Sequence, residues 1–256
     1  MGTNRAKKIK EVKDKLKNDV VDNSPDVFQK EKISIELNIR ERKDLTEKQI
    51  NILKTSIDKN TKCVFIDGIF GSGKTWLATL SSLKLLNHKK IDQIIYIRNP
   101  VESSSTGKIG YLKGDLEDKL SPYASIFLDK LDEFLPKDQI EYLMKDNRIE
   151  CLPLGFIRGK NWNCKVIIVD EASSLTFEDL ILLLTRCGEF TKIFFIGDAA
   201  NQSDIGNKTG FRKMFDKFND NISKENGIYC FELKDKNDIV RSGFVRYVLE
   251  HLGIIH

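Results

Sequence analysis

The sequence predicts an α/β fold in which helices flank a mostly parallel central sheet. Four short runs rich in Ile, Val and Phe, separated by helix-like segments, lie at residues 63–66, 94–97, 166–169 and 193–196. Continuous apolar runs are typical of strands buried on both faces, as in a parallel sheet covered by helices. Three of these runs end in glycine or polar residues, which predicts functional loops at one edge of the sheet.

The composition argues against several classes of protein. The 256 residues carry 42 Lys and Arg against 38 Asp and Glu, a net charge of +4 that is too small to indicate nucleic-acid binding by itself. Five widely spaced cysteines form no C-x-x-C pair, which argues against a zinc or redox site and indicates reduced thiols. No apolar run approaches the roughly 18 residues that cross a membrane, and the start lacks a secretory signal. We therefore expect a soluble, cytoplasmic protein without membrane contact.

The chain divides into a charged arm and one large domain. Residues 1–30 alternate Lys with acidic residues and predict either a solvated helix or a disordered tail, and residues 31–256 form the predicted domain. Alternating apolar residues at positions 33–39 predict a half-buried strand. A helix over residues 45–53 follows, with Thr46 as its N-cap.

A long segment separates the second and third apolar runs. Residues 98–160 exceed what a simple crossover needs, which predicts an insertion that shapes substrate binding. Residues 103–107 are its most loop-like part, and Ser121-Pro122 indicates a helix start.

The segment Gly68–Thr75 fits the pattern G-x-x-x-x-G-K-[ST], and it lies between a predicted strand and a predicted helix. Its glycines allow successive N–H groups to surround an anion beside a positive helix terminus. Lys74 is placed to reach the terminal phosphates of a nucleotide, and Thr75 to bind Mg²⁺. The predicted nucleotide-binding residues are Gly68, Gly71, Ser72, Gly73, Lys74 and Thr75.

Two adjacent carboxylates follow the third apolar run. Asp170 would reach the edge of the sheet and hold Mg²⁺ together with Thr75 or through water. Glu171 would orient and deprotonate the attacking water. Acidic residues also begin many helices for dipole reasons, but the complete phosphate loop favours the catalytic interpretation.

The fourth apolar run ends in Gly197-Asp198, and Gln202 follows four residues later. An amide side chain there can sense the terminal phosphate, because it both donates hydrogen bonds and accepts them. An ordinary turn is the alternative.

Further motifs, read in order, resemble the PhoH family of P-loop ATPases, whose core is similar to that of superfamily 1 helicases. They lie at Arg98–Glu102, Ile109–Leu116, Pro153–Gly159, Asp170–Ala172, Leu184–Glu189 and Asp238–Arg241. The resemblance implies a P-loop NTPase with a RecA-like or helicase-like core that uses ATP and Mg²⁺. It also implies hydrolysis coupled to RNA or single-stranded DNA binding, and a homo-oligomer such as a hexameric ring.

The resemblance also implies roles for single residues. Gln49 matches an adenine-reading glutamine, although a surface helix residue is the alternative. Arg241 matches a late arginine that reaches the terminal phosphate from its own or a neighbouring subunit, with Arg158 and Arg186 as rivals. Ser173 stands where the family has an amide, and it either replaces that coupling contact or leaves it unmade.

Cations and aromatic rings at the predicted loops suit a groove for single-stranded nucleic acid. The predicted contacts are Arg98, Lys108, Lys113, Arg158 and Lys160, with Tyr111 and Trp162 as stacking rings. Solvated charges and core aromatics are the alternative interpretation. At the level of function, a nucleotide-dependent scaffold or switch and a small-molecule kinase are the alternatives to a nucleic-acid-dependent ATPase.

Overall fold

A computed structural model of the chain describes residues 31–98, 116–200, 208–239 and 243–255, with backbone only for 116–123. These residues contain a six-stranded, all-parallel sheet with the order β3-β2-β4-β5-β1-β6. The strands are β1 (Cys63–Gly68), β2 (Gln93–Arg98), β3 (Ile149–Leu152), β4 (Lys165–Asp170), β5 (Lys192–Gly197) and β6 (Ile228–Leu233). The predicted α/β fold with a parallel sheet is confirmed, and all four apolar runs are strands.

Helices cover both faces of this sheet. In chain order they are α1 (Glu47–Ile57), α2 (Lys74–Asn87), α3 (Leu116–Leu131), α4 (Lys137–Lys145), α5 (Phe177–Leu184), α6 (Phe211–Phe218), α7 (Asn221–Glu225) and α8 (Gly243–His251). Three short 3₁₀ turns lie at Leu154–Phe156, Ala172–Ser174 and Lys236–Asp238.

Alternation along the strands divides the core into two layers. In β1, Val64 and Ile66 pack with helices α1 to α4 on one face. Cys63 and Phe65 pack with α5 and α6 on the other face. Because both faces are covered, the strands are apolar at almost every position, which explains why continuous apolar runs predicted them.

The segment before β1 differs from the sequence prediction in one respect. Residues 33–39 form no strand, although Ile33 and Leu37 are buried in the core. The Leu37 N–H donates to the Asn87 side chain rather than to a neighbouring strand. The alternation of apolar and polar residues therefore arises because alternate side chains pack against helices, not because the segment pairs in a sheet. The predicted N-cap is confirmed, because the Thr46 hydroxyl accepts from the Gln49 N–H at 3.2 Å in a capping box.

Two further features concern the segment 98–160. Helix α3 begins at Leu116, so the prediction of a helix start at Ser121-Pro122 was wrong. The helical backbone runs through Ser121-Pro122, and further along α3 the side chains of Phe127 and Leu131 pack in the core. The described part of this segment also supplies the edge strand β3, which sequence patterns did not predict. The division into an arm, a domain and an insertion stays a prediction.

The cysteines agree with the sequence prediction, because all five are free and burial raises the pKa of their thiols. Among the described residues, no helix is both long and apolar enough to cross a membrane.

Candidate active site

The phosphate loop joins β1 to α2 by a compact backbone path. Gly71 and Gly73 have φ angles of 78° and 81°, a region that strains other residues. The Ser72 hydroxyl is buried and donates to the Ile69 carbonyl at 2.8 Å. The loop is therefore held by its own backbone and short side chains, with its N–H-rich turn at the start of α2.

Gly68 shows why a glycine is needed before the loop. A Cβ at this position would lie 2.6 Å from the Leu233 carbonyl oxygen and 2.9 Å from the Leu233 Cβ. The end of β6 thus presses against the end of β1. Ile69, the next residue, packs into a small apolar cluster with Ile239 and Leu249, so the C-terminal helix α8 supports the phosphate loop.

Lys74 points back across the loop. Its ammonium donates to the carbonyls of Gly68 at 2.6 Å and Ile69 at 2.9 Å. Burial lowers the pKa of Lys74, and the surrounding carboxylates oppose this effect. Those carboxylates are Asp198, Glu171, Asp170 and Asp67. A phosphate would give the buried charge a stronger partner than the carbonyls do.

Gln49 is 1% exposed, so it is not a surface helix residue. Its amide nitrogen donates to the Ser72 carbonyl at 3.0 Å, and its amide oxygen accepts from the Thr46 N–H at 3.0 Å. The side chain therefore links the start of α1 to the phosphate loop. Because both ends of the amide are engaged, adenine recognition by Gln49 stays a prediction.

Asp170 ends β4 and gathers three donors. Its Oδ1 accepts from the Thr75 hydroxyl and from the Glu171 N–H, each at 3.2 Å. Its Oδ2 accepts from the Tyr96 hydroxyl at 2.6 Å. Burial and the Asp170 charge raise the pKa of the Tyr96 phenol well above its usual range, so Tyr96 remains a donor.

Glu171 follows in a left-handed conformation, with φ 54° and ψ 40°. Non-glycine residues adopt this region at a cost of roughly 1–2 kcal/mol, and such outliers cluster at functional sites. One Glu171 oxygen lies 3.4 Å from the Arg98 guanidinium. Burial alone would lower the pKa of Arg98, but Tyr96, Asp170 and Glu171 outweigh burial and raise it.

The end of β5 is tied to both other strand ends. The Ser173 hydroxyl accepts from the Asp198 N–H at 3.1 Å. Buried Asp67 accepts from the Ala199 N–H at 2.9 Å. Ser173 therefore links the turn after β4 to the end of β5, and its role in place of the family's amide residue stays a prediction.

The phosphate loop and the two carboxylates after β4 line one cavity of about 760 Å³. Its wall includes Lys74, Thr75, Asp170 and Glu171, and it extends towards Trp76. Further lining residues are Arg40, Arg42, Lys130 and Glu133. The Arg42 guanidinium lies 5.3 Å from the Trp76 ring centroid, and this cation–π pair forms part of the cavity wall.

The Thr75 hydroxyl and the Asp170 carboxylate fit Mg²⁺, because both offer hard oxygen atoms, 3.2 Å apart, on this cavity. The described residues contain no cluster of three or more His, Cys, Asp or Glu suited to a metal. Mg²⁺ at phosphate sites takes most of its ligands from phosphates and water, so one carboxylate and one hydroxyl suffice.

The other predicted site residues in this group either lie outside the described residues or do not line the cavity. Gln202, Arg241, Lys108, Lys113 and Tyr111 lie outside the described residues. Arg158 is exposed, and Arg186 is half-buried in a turn after α5; neither lines the cavity. The Lys160 ammonium pairs with Glu150 at 2.6 Å.

One prediction in this set was wrong. Trp162 is 1% exposed and packs with the core on the α5 and α6 face, so it cannot stack on a nucleic-acid base. It is a core aromatic because its segment pairs with the turn after α5, where the Trp162 N–H donates to the Arg186 carbonyl.

Sequence reasoning missed two groups that hold the site. Tyr96 and Asp67 are polar residues within otherwise apolar, buried strands. A hydroxyl or carboxylate in a buried strand needs a partner, and that requirement was the available signal. It could not identify the partners, which lie on other elements of the fold.

Comparison with known proteins agrees with this geometry. The family described as "PhoH-like protein" matches residues 41–252. The chain belongs to the PhoH-like family. It is 33% identical over 192 residues to a "PhoH-like protein" of Bacillus subtilis, covering 75% of this chain and 58% of that protein. It is 30% identical over 207 residues to "Protein PhoH" of Escherichia coli, covering 79% and 56%.

A "PhoH-like protein" of Mycobacterium tuberculosis is 32% identical over 224 residues, covering 86% of this chain and 61% of that protein. The matched region thus spans less than two thirds of each of these PhoH-like relatives. The PhoH-like family is a family of P-loop NTPases, in agreement with the phosphate loop and the parallel sheet.

Proposed function

We propose that this protein is an Mg²⁺-dependent ATPase that couples hydrolysis to binding or remodelling RNA or single-stranded DNA in the cytoplasm. The observation that carries the proposal is the convergence of Lys74, Thr75, Asp170 and Glu171 on one cavity. These residues come from two strand ends that only the parallel sheet brings together. Family membership supports the nucleotide, and the site chemistry supports hydrolysis.

Each residue has a distinct role in the proposed reaction. The backbone N–H groups of Gly71, Ser72 and Gly73 bind the phosphates of ATP, and the Lys74 ammonium exchanges its loop carbonyls for phosphate oxygens. Thr75 and Asp170 would hold Mg²⁺, which when bound supplies charge neutralisation on the phosphates.

Glu171 acts on water. Its carboxylate takes a proton from a water molecule as the water oxygen bonds to the γ-phosphorus and the bond to the β–γ bridging oxygen breaks. ADP and inorganic phosphate leave. Arg241 would stabilise the developing charge, from its own or a neighbouring subunit, and Gln202 would sense the terminal phosphate.

The carboxyl ends of β2 and β3 support a nucleic-acid groove. Arg98 ends β2, and exposed Arg158 follows neighbouring β3 at the same edge of the sheet. Lys108 and Lys113 complete the proposed cationic groove, whereas the Lys160 charge is already offset by Glu150. A homo-oligomer such as a hexameric ring would bring several such edges around one strand.

The hydrolysis is tested with Glu171→Gln. We expect ATP turnover to fall roughly 10²- to 10⁴-fold, the usual contribution of a general base, while ATP binding persists. The control is Lys236→Gln, which removes a surface ion pair with Glu250 and leaves turnover unchanged. Turnover that survives in Glu171→Gln contradicts the assigned base, and a phosphorylated organic product in place of free phosphate indicates a kinase.

The coupling is tested by ATP turnover with and without defined single strands of RNA and DNA, alongside the mass of the assembly. Stimulation by a single strand supports the proposal. Equal turnover across all oligomers contradicts it.

A nucleotide-dependent scaffold or switch is the second candidate, and helix α8 favours it. Phe244, Tyr247 and Leu252 are 74%, 62% and 64% exposed on this helix. Its other side packs on Ile69 of the phosphate loop, so nucleotide binding can be communicated to a partner there. Full cellular activity of Glu171→Gln would favour the scaffold over the motor.

A further inference from the structure

We propose that Arg98 restrains Glu171 as a base, and that a phosphate of bound single-stranded nucleic acid releases it by taking over the Arg98 guanidinium. The inference rests on the proposed ATPase function and deepens it. It assigns Arg98 as a positioning residue that connects the nucleic-acid edge of the sheet to the reacting water.

Strand β2 holds both carboxylates from one side. Tyr96 and Arg98 are two residues apart, so their side chains lie on the same face of the strand. In the register of β2 and β4, Tyr96 lies opposite Ile168 and Arg98 lies opposite Asp170. One strand therefore contacts Asp170 through Tyr96 and Glu171 through Arg98.

The two contacts differ in strength. The Tyr96 hydroxyl is 2.6 Å from Asp170 in a fully buried setting, and the Tyr96 ring stacks on Phe127 with centroids 4.4 Å apart. The Arg98–Glu171 contact is 3.4 Å long, between side chains that are 24% and 22% exposed. Strong charge-assisted hydrogen bonds measure about 2.7–2.9 Å. Tyr96 therefore fixes Asp170, whereas Arg98 holds Glu171 by a contact that another anion can replace.

Exchange of this contact changes the freedom of Glu171 to move. While the Arg98 guanidinium holds one Glu171 oxygen at 3.4 Å, the carboxylate is kept beside the end of β2 and cannot follow a reacting water. A phosphodiester oxygen competes well for the same cation, because guanidinium binds phosphate in a matched, two-pronged geometry. Exposed Arg158, which follows the neighbouring strand β3, adds a second cation at the same edge of the sheet, which suits a polyanion. Binding of a strand at this edge would thus release the Glu171 carboxylate from Arg98.

The test compares Arg98→Gln, Arg98→Lys and the surface control Lys236→Gln, with ATP turnover measured without nucleic acid. We expect Arg98→Gln to raise the turnover number about two- to fivefold at unchanged KM for ATP, in line with the modest strength of partly exposed ion pairs. Arg98→Lys keeps the charge but loses the planar fork of the guanidinium, so its turnover should lie between those of wild type and Arg98→Gln. A merely structural role for Arg98 would lower turnover or the unfolding midpoint instead.

A second measurement adds poly-U RNA, poly-dT DNA or inorganic polyphosphate. The ratio of ATP turnover with the added polymer to turnover without it should fall towards one in Arg98→Gln. The measurement with polyphosphate distinguishes an effect of any polyanion from an effect of nucleic acid. Stimulation by polyphosphate alone, or full stimulation of Arg98→Gln by RNA or DNA, overturns the exchange with a nucleic-acid phosphate.

The double variant Arg98→Gln with Glu171→Gln links the effect to Glu171. Its ATP turnover should be no higher than that of Glu171→Gln. If Arg98→Gln raises turnover by the same factor in the Glu171→Gln background as in wild type, the proposal is overturned. Basal turnover of folded Arg98→Gln at or below wild type, with wild-type ATP affinity, would also overturn it. A wild-type protein without any ATP turnover instead refutes the proposed function itself, so the two failures are distinguishable.

Discussion

The two halves of the site are held together by different means. In the phosphate loop, the side-chain hydrogen bonds of Lys74 and Ser72 are of short range, because they reach carbonyls only three to six residues away in sequence. The carboxylate half is held by β2, since Tyr96 and Arg98 contact Asp170 and Glu171 across 74 and 73 residues of sequence.

This difference indicates a division of labour. The hydrogen bonds of the Lys74 and Ser72 side chains lie within the loop and do not involve the end of β2. The two carboxylates, in contrast, contact side chains of β2 directly. We therefore expect changes in the loop to act on ATP binding and changes in β2 to act on turnover. The following predictions test whether the two halves respond separately.

Lys74, which is also a predicted catalytic residue, gives the first prediction: Lys74→Met should have the largest effect on ATP affinity and should not lower stability. A hydrogen bond to a charged group contributes about 1.5–3 kcal/mol, so ATP affinity should fall roughly 10- to 150-fold. The free energy of unfolding should stay the same or rise, because burial opposes the Lys74 charge in the folded chain. Isothermal titration with ATP and urea unfolding measure the two quantities. Loss of stability together with affinity would break the proposed division.

Tyr96→Phe should lower stability and turnover but not ATP affinity, the reverse of the pattern expected for Lys74→Met. It removes a buried hydrogen bond to a charged group, so the free energy of unfolding should fall by about 1.5–3 kcal/mol in Mg²⁺-free buffer. Turnover should fall as Asp170 loses its fixed orientation, while ATP affinity changes little. Tyr142→Phe is the matched control, because the Tyr142 hydroxyl contacts Ser34 at the surface. If Tyr96→Phe and Tyr142→Phe lose the same stability and turnover, Tyr96 has no specific role in positioning Asp170.

The same division explains what the sequence could predict. The loop Gly68–Thr75 was predictable because its geometry depends on residues within one short segment, and the strands were predictable because burial on both faces leaves continuous apolar runs. Asp170 and Glu171 were predictable as candidates because they follow such a run.

Partners across the sheet were not predictable. Nothing in the local pattern of β2 identifies Asp170 as the acceptor of the Tyr96 hydroxyl, because the strand order that brings them together is a property of the whole chain. The same holds for Trp162, whose burial depends on a turn more than 20 residues away. Strand β6 escaped prediction because it is an edge strand with only one strongly buried position.

Gly68→Ala tests the support of the loop by β6. Its new Cβ would lie within 3 Å of backbone and side-chain atoms of Leu233, and overpacking of this kind costs about 1–3 kcal/mol. Because the clash is at the loop, ATP affinity should fall with stability. Gly155→Ala is the control, since a Cβ there meets no atom within 4 Å. If the unfolding midpoint of Gly68→Ala is unchanged, the end of β6 can move away from the new Cβ without cost, and the loop does not depend on its support.

Ser173→Ala should give the smallest effect, and it tests the link between the two strand ends that carry Glu171 and Asp198. The Ser173 hydroxyl accepts from the buried Asp198 N–H, so its loss should cost about 1 kcal/mol of unfolding free energy. ATP affinity should stay at the wild-type value because the phosphate loop is untouched. Turnover should fall several-fold, because the end of β5 no longer holds its position relative to the turn that follows Glu171.

Ser82→Ala provides the buried comparison for this variant. The Ser82 hydroxyl bonds to the Ala78 carbonyl within helix α2, where alanine is the better helix former, so stability should hold or rise slightly. If Ser173→Ala and Ser82→Ala turn over ATP equally well, the contact between Ser173 and Asp198 is only structural. The strand ends after β4 and β5 would then act independently, and coupling within the site would pass through β2 alone.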